Sequence, residues 1–229
     1  MEEGRQNQQV SASDTRAARA VYATVKLLIR SVLFRLFSLV ARGSENLDID
    51  GPIIVAPVHR SNLDAPLIAG LTRHRLKALA KESLFSPAPV GWFMSALGGF
   101  PVDRAAADRE ALRAAQQLLD EGEAVIVFPE GSRQTGNKVA DVYDGAAFLA
   151  ARTGAPVVPI GIAGTEEAMP PGAKLPRRAK VAIVVGEPMA APTSEGKRVT
   201  LSQRREFTTE LADRLQDCLD EAILESEQL

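Results

Sequence analysis

His59 and Asp64, five positions apart, carry the two side-chain types that general-base chemistry requires. They lie between an apolar run at residues 53–56, which predicts a buried strand, and the start of a predicted helix. Asn62 is suited to cap that helix, so Asp64 falls in its first turn, within reach of the imidazole ring. A carboxylate that holds one ring N–H leaves the other nitrogen free to take a proton. Taken alone, however, the pair favours a structural interpretation, in which Asp64 complements the helix dipole and His59 is a turn residue.

Arg104 follows a second segment of interest, in which two glycines at 98–99 precede a short extended stretch. A guanidinium suits a phosphate because its planar fork donates two parallel hydrogen bonds. The alternative is a solvated arginine at a strand end. A further apolar strand pattern, residues 157–160, contains a central Pro159, which is typical of an edge or bulged strand that shapes a pocket wall.

A third group of polar residues comes straight after an apolar strand pattern: Glu130, Gly131, Ser132 and Arg133. The Arg133 guanidinium and the backbone N–H groups of Gly131 and Ser132 are suited to receive an anion. An ion pair between Glu130 and Arg133, with no ligand, is the alternative. The anion site is the favoured interpretation, because a buried strand that ends in a carboxylate and a guanidinium is an unusual structural solution.

The segments that must position these residues alternate between strand and helix patterns. Predicted strands cover residues 53–56, 76–80, 100–103, 124–128, 157–162 and 180–185, and the clearest helices cover 108–121, 143–153 and 203–225. This alternation predicts an α/β fold with a mixed, mostly parallel sheet flanked by helices. The candidate residues adjoin predicted strand ends, which is where α/β sheets bind their ligands.

A basic amphipathic segment, residues 16–46, precedes the first strand. Its apolar positions recur at helical spacing and its cations lie beside them: Val25, Leu28, Ile29, Val32 and Leu36, with Lys26, Arg30 and Arg35. Each cation at the centre of a bilayer would cost roughly 2.5–3.5 kcal/mol, which argues against a membrane span. The pattern is equally compatible with a helix lying in the headgroup plane and with a helix packed on its own domain.

Composition limits the remaining possibilities. Residues 1–15 form a predicted disordered tail, and residues 47–229 are long enough for one folded domain. A net charge of −2 gives no indication of a nucleic-acid partner. The single cysteine, Cys218, excludes an internal disulfide and is interpreted as a structural thiol. The two histidines, His59 and His74, lie in no cluster of metal ligands, so no metal is expected.

The order of these segments resembles the glycerolipid acyltransferase family, and within it the bacterial 1-acyl-sn-glycerol-3-phosphate acyltransferases. That family has a His-x4-Asp block, a Gly-x-x-(Pro/Ile)-x-x-Arg block, a Phe-Pro-Glu-Gly-(Thr/Ser)-Arg block and a strand with Val-Pro. All four occur here in that order, and residues 81–85 (Lys-Glu-Ser-Leu-Phe) resemble a further family block. The resemblance covers residues 51–186. Val58 stands where the family often has Asn, and Gln134 where it often has Ser or Thr.

The resemblance implies acyl transfer from acyl-CoA or acyl-carrier protein to the sn-2 hydroxyl of 1-acyl-sn-glycerol-3-phosphate, in phospholipid biosynthesis. It implies His59 and Asp64 as the catalytic pair. It also implies a glycerol-phosphate site made by five residues: Arg104, Glu130, Gly131, Ser132 and Arg133. No cofactor is implied beyond the thioester co-substrate.

The activity that the resemblance implies favours the membrane interpretation of residues 16–46, as a membrane-associating segment ahead of an acyltransferase domain. We expect a peripheral or monotopic protein on the cytoplasmic face of the cell membrane, with a preference for anionic lipid. The alternatives are a different lysolipid acceptor, a thioesterase or lipid hydrolase that uses the same pair to activate water, and a non-catalytic lipid-binding module.

Overall fold

Seven short segments pair into one sheet in the computed structural model, which describes residues 15–81, 85–102, 108–173, 175–193 and 198–229. The strands are β1 (Val40–Arg42), β2 (Ile54–Pro57), β3 (Lys77–Lys81), β4 (Gly99–Val102), β5 (Val125–Ile126), β6 (Val157–Ala163) and β7 (Ala182–Val185). Their order is β1-β7-β6-β2-β5-β3-β4, and all neighbours are parallel except β6 and β7. The prediction of a mixed, mostly parallel sheet is confirmed.

The helices are α1 (Arg16–Leu28), α2 (Phe34–Leu36), α3 (Asp64–Leu71), α4 (Ala88–Ala96), α5 (Asp108–Asp120), α6 (Gly145–Thr153), α7 (Thr165–Ala168) and α8 (Leu201–Gln228). The connections from β2 to β3 and from β3 to β4 run one way across the sheet, whereas those from β4 to β5 and from β5 to β6 run back. Because such crossovers are right-handed, α3 and α4 cover one face and α5 and α6 cover the other.

This reversal creates a crevice between two neighbouring strands. β2 and β5 lie side by side, and the chain leaves them toward opposite faces of the sheet. In open α/β sheets, ligands bind at the carboxyl ends of strands at such a switch point. The two main groups of candidate residues, at 59–64 and 130–133, follow β2 and β5 and therefore meet at this crevice.

The amino-terminal segment is helical over α1, a π-helical turn (Ile29–Leu33) and α2. Thr15 caps α1 by accepting a hydrogen bond from the N–H of Ala18 at 3.2 Å. The segment packs tightly on α3 at Gly70, where a Cβ atom would lie 2.9 Å from the ring of Phe34. The predicted disordered tail, apart from Thr15, lies outside the described residues.

The helix ends earlier than the sequence pattern predicted. Phe37 is fully buried, and Ser38 adopts a positive φ of 45°, so the chain turns away from the helix axis. It then enters β1, which pairs with β7 at the edge of the sheet. Part of the predicted membrane-associating segment, residues 40–42, is therefore a strand of the domain. None of the described helices is both long and apolar enough to cross a membrane.

Helix α8 covers β6 and β7. It begins at a capping box in which Thr200 and Gln203 exchange hydrogen bonds. It approaches β6 so closely that a Cβ atom on Gly161 would lie 2.1 Å from the carbonyl carbon of Cys218. Burial raises the pKa of the Cys218 thiol to about 11, so the thiol stays protonated and packs as a small apolar group. The structural role expected for Cys218 agrees with this environment.

Candidate active site

The loop between β2 and α3 carries the first group of candidate residues. The predicted N-cap at Asn62 is wrong, because α3 begins at Asp64, after Leu63, and no side chain caps it. The Asp64 carboxylate instead turns back into the loop and accepts the backbone N–H groups of Arg60 and Ser61, both at 2.7 Å. The aspartate therefore fixes the shape of the loop that carries His59.

The expected contact between His59 and Asp64 is present. The Nδ1 atom of His59 lies 3.0 Å from Oδ2 of Asp64, a distance at which a ring N–H donates to the carboxylate. The other carboxylate oxygen, Oδ1, accepts the hydroxyl of Thr165 at 2.7 Å. Asp64 is fully buried and all its partners are donors, so the site is built around an acceptor carboxylate.

The imidazole ring is held on its face as well as at its edge. It stacks on the ring of Phe128, with centroids 3.9 Å apart and an interplanar angle of 25°. The His59 side chain keeps 19% of its surface exposed. Its Nε2 atom forms no hydrogen bond with the residues described in the structure, so this nitrogen is available to a substrate.

Glu130 has different partners from those expected. Its carboxylate pairs with Arg60 at 2.9 Å, and both side chains are almost completely buried. It also accepts the backbone N–H groups of His59, at 2.7 Å, and of Ala140, at 3.0 Å. The ion pair considered between Glu130 and Arg133 is therefore wrong. Glu130 ties the loop after β5 to the loop after β2.

Gly131, Ser132 and Arg133 lie on the exposed side of the same loop. Gly131 has a positive φ of 68°, and a Cβ atom there would lie 3.1 Å from the ring of Tyr143. The N–H of Gln134 donates to the carbonyl oxygen of His59 at 2.8 Å, which holds this loop beside the histidine. Arg133 forms no hydrogen bond or ion pair with any residue that the structure describes. Arg104 lies outside the described residues.

Two cavities adjoin the crevice. One, of about 570 Å³, is enclosed by α1, α3, α4 and the sheet, and its lining includes Val25, Ile29, Asn62, Ala65, Ala80 and Met94. The other, of about 610 Å³, lies on the side of the sheet that carries α5 and α6, and its lining includes Leu112, Phe128, Gly131, Ser132 and Tyr143. The first cavity is lined by Asn62 of the His59 loop, and the second is lined by Phe128, on which the His59 ring stacks.

Sequence reasoning missed two residues of this site, Arg60 and Thr165. Arg60 stands beside His59 in the sequence, and its role was detectable in principle, since a buried Glu130 requires a cationic partner. Thr165 lies 101 residues from Asp64, and no local pattern marks it. Only the position of β6 next to β2 brings Thr165 to the carboxylate.

The fold agrees with that of known proteins. A family model described as acyltransferase matches residues 38–163, more than half of the chain, and the chain belongs to this family. The solved structure of the 1-acyl-sn-glycerophosphate acyltransferase PlsC from Thermotoga maritima matches with a TM-score of 0.72 and 30% identity, over 92% of this chain and 86% of that one. The resemblance drawn from the sequence blocks is confirmed.

Curated relatives carry a similar name. The 1-acyl-sn-glycerol-3-phosphate acyltransferase of Bacillus subtilis is 30% identical over 63% of this chain and 70% of its own length. The chloroplastic protein BAT2 of Brassica napus, also a 1-acyl-sn-glycerol-3-phosphate acyltransferase, is 32% identical over 65% of this chain. This chain covers 44% of the length of that plant protein.

Proposed function

We propose that this protein transfers a fatty acyl group from a thioester to the sn-2 hydroxyl of 1-acyl-sn-glycerol-3-phosphate, which yields phosphatidic acid. The observation that carries the proposal is the His59 ring, whose Nδ1–H donates to Asp64 at 3.0 Å. An imidazole fixed in this tautomer presents Nε2 as a base, and Nε2 is unbonded among the described residues. The named activity of the relatives supports the choice of acceptor.

In the proposed reaction, Nε2 of His59 takes the proton of the sn-2 hydroxyl while that oxygen attacks the thioester carbonyl. When the tetrahedral intermediate collapses, the C–S bond breaks and the imidazolium returns its proton to the leaving thiolate. Asp64 keeps the ring oriented and stabilises the imidazolium. Ser61 is an unsuitable nucleophile, because it is buried and its hydroxyl donates to the carbonyl oxygen of Met169. The donor is acyl-CoA or acyl-carrier protein, and no resident cofactor is needed.

The cavity of about 570 Å³ between α1, α3, α4 and the sheet, called the apolar cavity below, is the best place for the donor's acyl chain. It extends along β3 from Ala80, near the carboxyl end of the strand, to Leu76, which precedes the strand. Four residues of strand span about 13 Å, long enough to bury a substantial length of hydrocarbon. Tyr22 borders the Leu76 end, where its hydroxyl donates to the carbonyl oxygen of His74 at 3.3 Å. An acyl chain in this cavity would bring its thioester toward the His59 loop.

The second cavity suits the glycerol phosphate of the acceptor. Gly131 and Ser132 line it, and the exposed guanidinium of Arg133 follows them. Paired guanidinium hydrogen bonds favour a phosphate over a neutral headgroup. Arg104 lies outside the described residues and belongs to the proposed site through the family resemblance alone. Glu130 supports this site indirectly and does not bind the phosphate, because its carboxylate already pairs with Arg60 and accepts two backbone N–H groups.

The amino-terminal segment is proposed to hold the protein on an anionic membrane, on the cytoplasmic face of the cell. The predicted apolar stripe divides into two sets: Leu28 and Val32 are exposed, whereas Val25 and Ile29 line the apolar cavity and Leu36 packs against the core. The exposed cations Arg30 and Arg35 are each worth about 1 kcal/mol near an anionic surface. Lys26 lies at the cavity and donates to the carbonyl oxygen of Thr72.

One transfer assay tests this function. Purified protein is given acyl-CoA or acyl-carrier protein donors of several chain lengths, together with a panel of lysolipids that includes lysophosphatidic acid and lyso-aminolipids. We expect transfer to be fastest with lysophosphatidic acid, and thioester hydrolysis to be slow without an acceptor. Rapid hydrolysis that no lysolipid alters would contradict the proposal and would identify a thioesterase instead.

A further inference from the structure

Helix α4 belongs to an unusually apolar part of the chain. Charged residues make up 24% of the sequence, yet none occurs between Glu82 and Asp103. Within the described part of this stretch, α4 occupies the connection between β3 and β4. A helix on the surface of a globular domain normally carries a polar face toward water. This helix has no charged residue with which to form one.

The surface of α4 is apolar as a result. Val90, Trp92 and Phe93 keep 44%, 42% and 42% of their surfaces exposed. Single exposed apolar side chains are common, but a cluster that includes two aromatic residues marks an interaction surface. Aromatic side chains, and tryptophan above all, favour the boundary between lipid headgroups and acyl chains.

A second exposed apolar set lies on the neighbouring helix. α1 and the π-helical turn expose Leu27, Leu28 and Val32. Both helices border the apolar cavity, α1 through Val25 and α4 through Met94. The two exposed sets therefore belong to the two helices that enclose the same lipid-sized space. Cations accompany them, since Arg30 and Arg35 are exposed on the amino-terminal segment.

We propose that α4 inserts into the bilayer beside α1, with Trp92 and Phe93 below the headgroups, so that the apolar cavity opens between two membrane-embedded helices. The proposal rests on the proposed function, because that function supplies the acyl chain which the cavity receives. A bilayer fits the combined surface better than a protein partner does. An apolar patch next to exposed arginines matches acyl chains next to anionic headgroups. An acyl chain could then pass from the bilayer to the cavity without crossing water.

Trp92 allows a direct test, because it is the only tryptophan in the chain. Wild-type protein is mixed with vesicles of phosphatidylglycerol and phosphatidylcholine, prepared with or without bromine atoms on the acyl chains. We expect Trp92 emission to shift to shorter wavelength on binding and to be quenched only by the brominated vesicles. Protein that sediments with vesicles while its emission stays unchanged would overturn the proposal, as would protein that never sediments. A shift that depends on protein concentration without vesicles would overturn it by placing a second copy on α4.

A pair of matched variants adds an independent measurement. Phe93→Ser removes an exposed apolar side chain from α4, and Leu224→Ser removes one from α8, on the opposite face of the sheet. We expect Phe93→Ser to weaken vesicle binding and Leu224→Ser to leave it unchanged. Equal binding by both variants would contradict the proposal.

Transfer activity on detergent-dispersed lysophosphatidic acid, measured on the same preparations, distinguishes the proposed function from the insertion of α4. Quenching of Trp92 without transfer would refute the function alone. Transfer without quenching would refute the insertion of α4 alone.

Discussion

The His59 loop and the outer surfaces of α1 and α4 differ in what surrounds their side chains. The loop buries a charged group in hydrogen bonds, whereas the helices leave apolar groups exposed. In the loop, Asp64 is fully buried and each of its carboxylate oxygens is hydrogen-bonded. On the helices, Leu28 and Trp92 are exposed and contact water in the absence of a partner. The loop is complete within the folded chain, whereas in our proposal the helix surface becomes buried only when it binds a membrane. The difference separates two requirements of a lipid enzyme, a fixed geometry for chemistry and an adaptable surface for reaching an insoluble substrate.

Among the substitutions that test this comparison, Asp64→Asn in the His59 loop is expected to change kcat and stability most. An amide oxygen is a weaker acceptor than a carboxylate oxygen for the N–H groups of Arg60 and Ser61. The loop would therefore lose charge-assisted hydrogen bonds, and the His59 ring would lose the charge that orients it. We expect kcat to fall at least ~10²-fold and the free energy of unfolding to fall by about 1–3 kcal/mol. Steady-state kinetics and urea unfolding measure the two effects.

Thr165→Val is the milder companion, since it removes one hydroxyl donor from Asp64 and leaves the carboxylate in place. It should lower both quantities less than Asp64→Asn does. A normal kcat in Asp64→Asn would separate the aspartate from catalysis and leave it only a structural role.

The next effect concerns Glu130, which the geometry assigns to the framework of the site. Glu130→Gln would remove the charge that faces the buried guanidinium of Arg60. We expect a loss of about 3 kcal/mol in the free energy of unfolding, because the unpaired charge stays buried. Urea unfolding checks this. Unaltered stability combined with a raised KM for lysophosphatidic acid would instead return Glu130 to the acceptor site that the sequence suggested.

Arg133 should show the reverse behaviour. Its side chain is exposed and unpaired among the described residues, so Arg133→Ala should leave unfolding unchanged. Loss of charge-assisted hydrogen bonds to a phosphate, at about 1.5–3 kcal/mol, should raise the KM for lysophosphatidic acid roughly tenfold or more. Arg133→Lys should restore part of the loss, because an ammonium cannot form paired hydrogen bonds. A kinetic defect confined to the thioester donor would move Arg133 to the donor site.

The smallest effect on the folded protein is expected from the exposed apolar side chains of α1 and the π-helical turn. Replacing Leu27, Leu28 and Val32 together by Ser should weaken sedimentation with anionic vesicles while unfolding and activity in detergent change little, because all three are exposed. Leu36→Ser should behave differently, since Leu36 packs against the core and its replacement should lower stability. If the triple variant unfolds and the parent protein never binds vesicles, this helix serves only the core.

The sequence predicts much of this architecture because its main signals are local. Apolar runs that alternate with helical patterns indicate the mixed sheet, and the His59–Asp64 spacing indicates their contact. The pair between Arg60 and Glu130 was not predictable in this way, because it joins residues 70 positions apart through the adjacency of β2 and β5.

Two features of the amino-terminal segment were also not predictable from the local sequence pattern. Strand β1 is three residues long and lies at the edge of the sheet, so it carries no distinct strand signal. The apolar stripe of the amino-terminal segment is shared between the core, the cavity and solvent. The π-helical turn at Ile29–Leu33 alters the helical period within that stripe, which a regular helix pattern cannot show.

The most direct test of the central claim is the turnover number of His59→Ala, compared with that of His74→Ala. These are the two histidines of the chain. The Nε2–H group of His74 donates a hydrogen bond to the carbonyl oxygen of Ile49, away from the crevice. We predict that His59→Ala lowers kcat for acyl transfer to lysophosphatidic acid at least ~10²-fold with little change in unfolding. His74→Ala should keep kcat near that of the parent protein. A kcat for His59→Ala within a few-fold of the parent value would contradict the general-base mechanism.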